Sequence, residues 1–174
     1  MKIQDDAGAS LSAGAFRPED RVRYASVVMR RRPVDSPWQT HAWAPLRLEP
    51  GCGLTEPVRL AAAAEGEDWL HPEHAVELFR DEAEGYYLNL TAPHPAIFVN
   101  WSDEDGIRVL RLTASYNQAA RLMDGGMQVD PVPLPPAWLP WIDAFIRAYY
   151  RPESKGPRAR PPSFRGARRD AAGG

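Results

Sequence analysis

Ala96-Ile97-Phe98-Val99-Asn100-Trp101, then Ser102-Asp103-Glu104-Asp105-Gly106, then Ile107-Arg108-Val109-Leu110-Arg111-Leu112-Thr113, is the stretch that decides the fold. Two runs rich in β-branched and aromatic residues flank a short loop ending in Asp-Gly, which reads as a β-hairpin. Strand signals dominate around it. Val22–Arg31 carries Tyr24, Val27, Val28 and Met29. It ends where Arg30-Arg31-Arg32 meets Pro33, which cannot donate to a ladder. Ala42–Leu48 sets Trp43, Pro45 or Leu46, and Leu48 at near-alternate positions, and Pro50-Gly51-Cys52-Gly53 is turn chemistry. Glu56–Ala63 reads as a further strand, although its alanines would tolerate helix. His74–Arg80 alternates, with Ala75, Glu77 and Phe79 against His74, Val76, Leu78 and Arg80, the pattern of a half-buried strand.

Two segments read as helical. Ser115–Met123 has a capping serine, internal alanines and a Gly125-Gly126 stop. Pro135–Tyr150 places Trp138, Trp141, Ile142, Phe145, Ile146 and Tyr149 on one face, with Asp143 and Arg147 paired four apart on the other. A helix so apolar on one side must pack on a sheet face or seal the open end of a barrel. The expectation is an α+β domain: a twisted antiparallel β-sheet or small β-barrel of about six or seven strands, capped by the C-terminal amphipathic helix.

A chain of 174 residues with 44% hydrophobic content is sized for one globular domain. Its ends differ in composition. Residues 1–20 are rich in Ala, Gly, Ser and Asp, and residues 152–174 in Pro, Gly and Arg. Both lack the apolar surface that offsets ordering entropy and are expected to be flexible or disordered, leaving 21–151 as the globular part. No apolar run approaches the roughly 20 residues of a membrane-spanning helix. Met1–Ser12 lacks the charged-then-apolar order of a secretory signal, so cytoplasm is the default location. The single cysteine, Cys52, excludes an intramolecular disulfide and a thiolate zinc site built from this chain alone.

Charge is unevenly distributed. The formal net charge is -2, yet residues 151–174 hold seven basic side chains against two acidic ones, and the remainder holds 14 basic against 21 acidic. Glu65, Glu67, Asp68, Glu73, Glu77, Asp81, Glu82 and Glu84 cluster, with Arg80 alone opposing them in sequence. Such a block ordinarily keeps a surface solvated, and the basic segment could fold back onto it.

Candidate chemistry is sparse. His71-Pro72-Glu73-His74 has a metal-like spacing, but Pro72 and the following strand pattern oppose the helical turn that would bring both imidazoles to one ion. Cys52 lies between glycines and is flanked by Glu49 and Glu56, the wrong surroundings for a thiolate nucleophile. There is no dinucleotide fingerprint, phosphate loop, zinc-protease motif or nucleophile elbow. The basic tail could contact phosphates, but only Phe164 offers a stacking platform there. The most distinctive stretch is Arg30-Arg31-Arg32-Pro33-Val34-Asp35-Ser36-Pro37-Trp38-Gln39-Thr40-His41-Ala42-Trp43. Tryptophan and arginine are favoured interface anchors, and either indole could stack on a guanidinium. Trp43 reads as covering the core, whereas Trp38 carries no such preference.

That pattern resembles an uncharacterised bacterial family, domain of unknown function 3305. So do Tyr86-Tyr87-Leu88-Asn89-Leu90 before Pro95 and Ile97-Phe98-Val99, the Thr113-Ala114-Ser115 turn, and Val132-Pro133-Leu134-Pro135. The resemblance spans about Val22 to Tyr150 and implies no established activity. It implies a context beside genes for molybdenum-dependent formate dehydrogenase and its accessory proteins. The expectation is therefore a non-catalytic accessory protein without cofactor or metal. Its protein partner would be a formate dehydrogenase subunit or maturation factor, met through Arg30, Arg31, Trp38, His41 and Trp43, with tail contacts from Lys155, Arg158 and Arg160. The alternatives are a metal-dependent enzyme using His71, His74 and nearby carboxylates, and nucleic-acid binding through the tail.

Overall fold

Ala96–Trp101 forms most of the central strand of a three-stranded sheet in the computed structural model, which describes residues 16–63 and 65–152. In chain order the strands are β1 (Val22–Pro33), β2 (His41–Pro50), β3 (Val58–Ala63), β4 (Gly66–Glu77), β5 (Ala96–Ser102), β6 (Arg108–Thr113) and β7 (Gln128–Pro133). The helices are α1 (Ala83–Thr91), α2 (Tyr116–Asp124) and α3 (Leu139–Tyr149). The hairpin read from Ala96–Thr113 is present: β5 pairs antiparallel with β6, Phe98 opposite Thr113, and with β7 on its other side.

The architecture is α+β, but the strands form neither one sheet nor a closed barrel. They divide into a four-stranded sheet ordered β2-β1-β4-β3 and a three-stranded sheet ordered β6-β5-β7. The two sheets bury a shared core between them. Ala25, Val27, Met29 and Val76 come from the first sheet, and Ile97, Val99, Trp101, Leu112 and Val132 from the second. Every ladder is antiparallel. Prolines inside the strands sit where a missing donor is tolerated: Pro45 on edge strand β2, beside a register shift, Pro72 at the register shift of central strand β4 between His71 and His74, and Pro131 and Pro133 on edge strand β7.

Three elements differ from the sequence expectation. β4 begins at Gly66 rather than His74, so acidic residues of the Glu65–Glu84 block lie inside a central strand. Residues 83–91 form α1, which the sequence reading left without an element. Its side chains lack a single apolar stripe because Ala83, Gly85, Tyr86 and Asn89 are buried against different neighbours. Residues 128–133 form β7 rather than only leading into the last helix.

Edge-to-edge topology forces one more feature. β2 and β3 lie at opposite edges of their sheet, so Gly51–Pro57 must cross it. The crossing covers the face bearing Ser26 and Val28, both fully buried, and is held by Glu73, whose carboxylate accepts the Gly53 N–H at 3.0 Å.

The terminal helix forms as its periodicity predicts. Trp141, Ile142, Phe145 and Ile146 are buried, and burial of each such side chain contributes roughly 1.5–3 kcal/mol. Phe145 meets Tyr86 of α1 edge-to-face at 5.8 Å, and the Trp141 indole donates to the Asp20 carbonyl at 2.7 Å. Asp143 accepts from Arg147 Nε at 2.8 Å on the outer side. The Ser115 cap is also present, its Oγ accepting the Gln118 N–H at 3.0 Å. Among the described residues no helix is long and apolar enough to cross a membrane.

Candidate interaction site on the β1–β2 hairpin

β1 runs through its three arginines to Pro33 and returns as β2, with Arg30 opposite Ala44, Arg31 opposite Trp43, Arg32 opposite Ala42 and Pro33 opposite His41. Directly opposed residues project to the same side and successive residues to opposite sides. Arg31, Trp43 and His41 therefore share the side of the sheet that faces the core, whereas Arg30 projects to the other. The five proposed contact residues do not form one patch.

Arg30 is engaged within the fold. Its Nε and Nη2 donate to Asp68 Oδ1 and Oδ2 at 2.7 and 3.0 Å, and its Nη1 lies 3.3 Å from Glu65. The Arg30 hydrogen bonds hold the Asp68 carboxyl below the usual carboxylate range, although burial opposes them. Arg31 lies in a second chain of contacts. It donates to Glu67 Oε2 at 3.3 Å, and Glu67 Oε1 accepts from Arg59 at 2.7 Å. Arg31 Nη2 also lies 3.1 Å from His41 Nδ1. A guanidinium is donor only, so His41 Nδ1 accepts and its proton sits on Nε2. Trp43 packs against the core and lies 6.4 Å from Trp69, as expected of a residue that covers the core.

Trp38 stands apart. The loop between the strands is closed by the Val34 N–H donating to the Thr40 carbonyl at 3.1 Å, and Ser36 Oγ accepts the Trp38 N–H at 3.3 Å. These bonds fix the backbone while leaving the indole 93% exposed. The other five tryptophans are buried or half-buried. No core demand accounts for an indole here, and its exposure carries an unrecovered cost in apolar surface.

The remaining candidates fall out differently. His71 and His74 lie on β4, opposite Val27 and Ala25. The extra residue between them forms a bulge at which Glu73 takes a positive φ of 49°. The bulge turns both imidazoles toward the core side, and burial pushes both below the ordinary histidine value. Among the described residues no group of three or more His, Cys, Asp and Glu is placed to hold a metal. Cys52 is exposed, its sulfur 3.4 Å from Ser26 Oγ. Lys155, Arg158 and Arg160 lie outside the described residues, as do the other tail positions from 153 onward and residues 1–15.

Two polar clusters escaped the sequence reading. Glu82, buried, accepts from Ser115 Oγ and from Arg121, tying the start of α1 to α2. Asn89, also buried, donates to the carbonyls of Ala96 and Ala114 at 2.7 and 2.8 Å and accepts the Ala96 N–H at 3.0 Å. Both are structural joints. The one sequence-level hint was an asparagine inside the otherwise apolar Tyr86–Leu90 run.

Residues 25–159 match the model of a family described as protein of unknown function (DUF3305), and the chain belongs to that family. No curated protein and no solved structure matches it.

Proposed function

We propose that this member of the DUF3305 family is a non-catalytic accessory protein that docks onto another protein through the β1–β2 hairpin, with Trp38 as its anchor. The observation that carries the reading is the 93% exposed indole on a backbone fixed by its own loop hydrogen bonds. A large rigid side chain held out in solvent loses little further entropy on binding, and tryptophan anchors of this kind contribute on the order of 2 kcal/mol or more. Beneath it, Arg31, Glu67 and Arg59 staple three neighbouring strands, so the hairpin is a stiff mount. His41, held by Arg31, adds a half-buried imidazole with an Nε2 donor.

The partner we propose is a component of a molybdenum-dependent formate dehydrogenase, either a subunit or a maturation factor. The support is the gene context that the family resemblance implies. The test is affinity capture from the native host under gentle lysis, comparing wild type with Trp38→Ala/His41→Ala. The expected result is retention of a formate dehydrogenase component by wild type and its loss from a folded double variant. Capture of no such component, or equal capture by both proteins, contradicts the reading.

A further inference from the structure

The acidic block of residues 65–84 is mostly neutralised by the fold, and two of the three acids left without an ion pair among the described residues line one cleft. Glu65, Glu67 and Asp68 are paired with Arg30, Arg31, Arg47 or Arg59, Glu82 is paired with Arg121, and Glu73 holds the Gly53 N–H. Glu77, Asp81 and Glu84 form no ion pair among the described residues. Two of these, Glu77 and Asp81, line a cleft of about 390 Å³ between the end of β4 and β6, whose apolar lining comes from Ala75, Phe79 and Leu112. That volume falls within the range of about 300–1,000 Å³ typical of ligand clefts. Phe79 is 43% exposed and lines this cleft. Glu82, Arg111 and Gln118 complete the lining. Glu82 is paired with Arg121, so Glu77 and Asp81 outnumber the one lining cation, Arg111. The site is part apolar and net acidic, which suits an aromatic side chain flanked by arginines.

This chain supplies such a segment. Residues 153–174 hold six basic side chains against two acidic ones, with Phe164 set between Arg160 and Arg165. The described chain ends beside the cleft: Arg151 and Pro152 line the neighbouring depression, which shares Asp81 with it. The 12 residues that follow Pro152, ending at Phe164, can span up to about 40 Å when extended, more than enough for adjoining surfaces. We infer that the cleft formed by Ala75, Glu77, Phe79, Asp81 and Leu112 is a docking site for the chain's own basic C-terminal segment, with Phe164 seated against Phe79. This docking is independent of the hairpin site.

The test uses the full chain carrying Cys52→Ser and Ser163→Cys, with a nitroxide on the new thiol and amide signals read by NMR. At low ionic strength the Ala75, Phe79 and Gln118 amides are expected to broaden beyond detection. The broadening is expected to disappear in 1 M salt, where the screening length is about 3 Å, and in a Glu77→Arg/Asp81→Arg background. Unchanged signals at low salt overturn the inference, as does broadening that survives the charge reversal. Broadening that arises only between spin-labelled and isotope-labelled molecules mixed together overturns it in favour of docking between copies.

Discussion

Arg30 and Asp68 meet across β1 and β4 in a two-point contact, Nε to Oδ1 at 2.7 Å and Nη2 to Oδ2 at 3.0 Å, with both side chains largely shielded from solvent. The bidentate geometry fixes the register of the two central strands. Removing one partner leaves the other charge stranded. Arg30→Ala and Asp68→Asn are each expected to lower the melting temperature, and the double variant to lose less than the sum of the singles. Because the folded carboxyl titrates below its ordinary value, its contribution is complete above about pH 4 and is lost as pH falls through the depressed folded value. The melting temperature of wild type should therefore fall more steeply in acid than that of Asp68→Asn. Equal slopes would count against this.

Asn89 joins α1 to the start of β5 and the end of β6 with three hydrogen bonds to backbone groups. Asn89→Leu strands all three backbone groups and is expected to cost on the order of 3 kcal/mol or more, at about 1–3 kcal/mol for each unsatisfied buried group. Asn89→Asp is expected to be no better, because a carboxylate cannot donate to the two carbonyls. Chemical denaturation measures both, and a near-neutral Asp variant would refute the donor assignment.

Gly85 lets α1 approach the first turn of α2. A Cβ built there would lie 2.1 Å from Ser115 Oγ and 3.2 Å from the Asn117 amide nitrogen. Elsewhere in a helix, Gly→Ala stabilises by roughly 1 kcal/mol. Gly85→Ala is expected to do the reverse, displacing the Ser115 cap and its bond to Glu82. Loss of the cap alone is worth about 1 kcal/mol. A thermal shift upward in Gly85→Ala would contradict the packing described.

His71 and His74 give a second pH dependence. Burial lowers both folded values, most strongly opposing the charged form. Above the ordinary histidine value of about 6.5 both rings are neutral folded or unfolded and contribute no slope. Below it the unfolded chain takes up protons first, so stability falls as pH drops toward the depressed folded values. The melting temperature is expected to decline as pH falls below about 6.5 in wild type, and to decline less in His71→Gln/His74→Gln.

Much of the fold was legible in residue order. The Ala96–Thr113 hairpin, the Ser115 cap and the Trp138–Tyr149 stripe are local patterns, and local patterns survive folding. β4 was half missed because Glu67 and Asp68 look like solvated charges until arginines from neighbouring strands neutralise them. α1 was missed because Tyr86 and Asn89 are buried by different neighbours, which erases a single-face period. β7 was hidden by prolines that only an edge strand tolerates. Division into two sheets is a matter of which strands pair, and pairing between Val28 and Leu70 or Phe98 and Pro131 leaves no mark in either segment alone. In the hairpin, Trp43 against the core was readable. The engagement of Arg30 by Asp68 was not, since it depends on a strand 38 positions away.

Trp38 anchors the proposed interface, and its stability and binding effects should separate. The indole touches little of the fold, so Trp38→Ala is expected to change stability by no more than about 0.5 kcal/mol. The most direct measurement is calorimetric titration of a purified formate dehydrogenase component, identified by capture, onto folded wild type and onto Trp38→Ala. Binding is expected to weaken about 30-fold or more in the variant, the equivalent of about 2 kcal/mol. Affinities within about threefold of each other, a difference under 1 kcal/mol, would contradict the hairpin as the docking site.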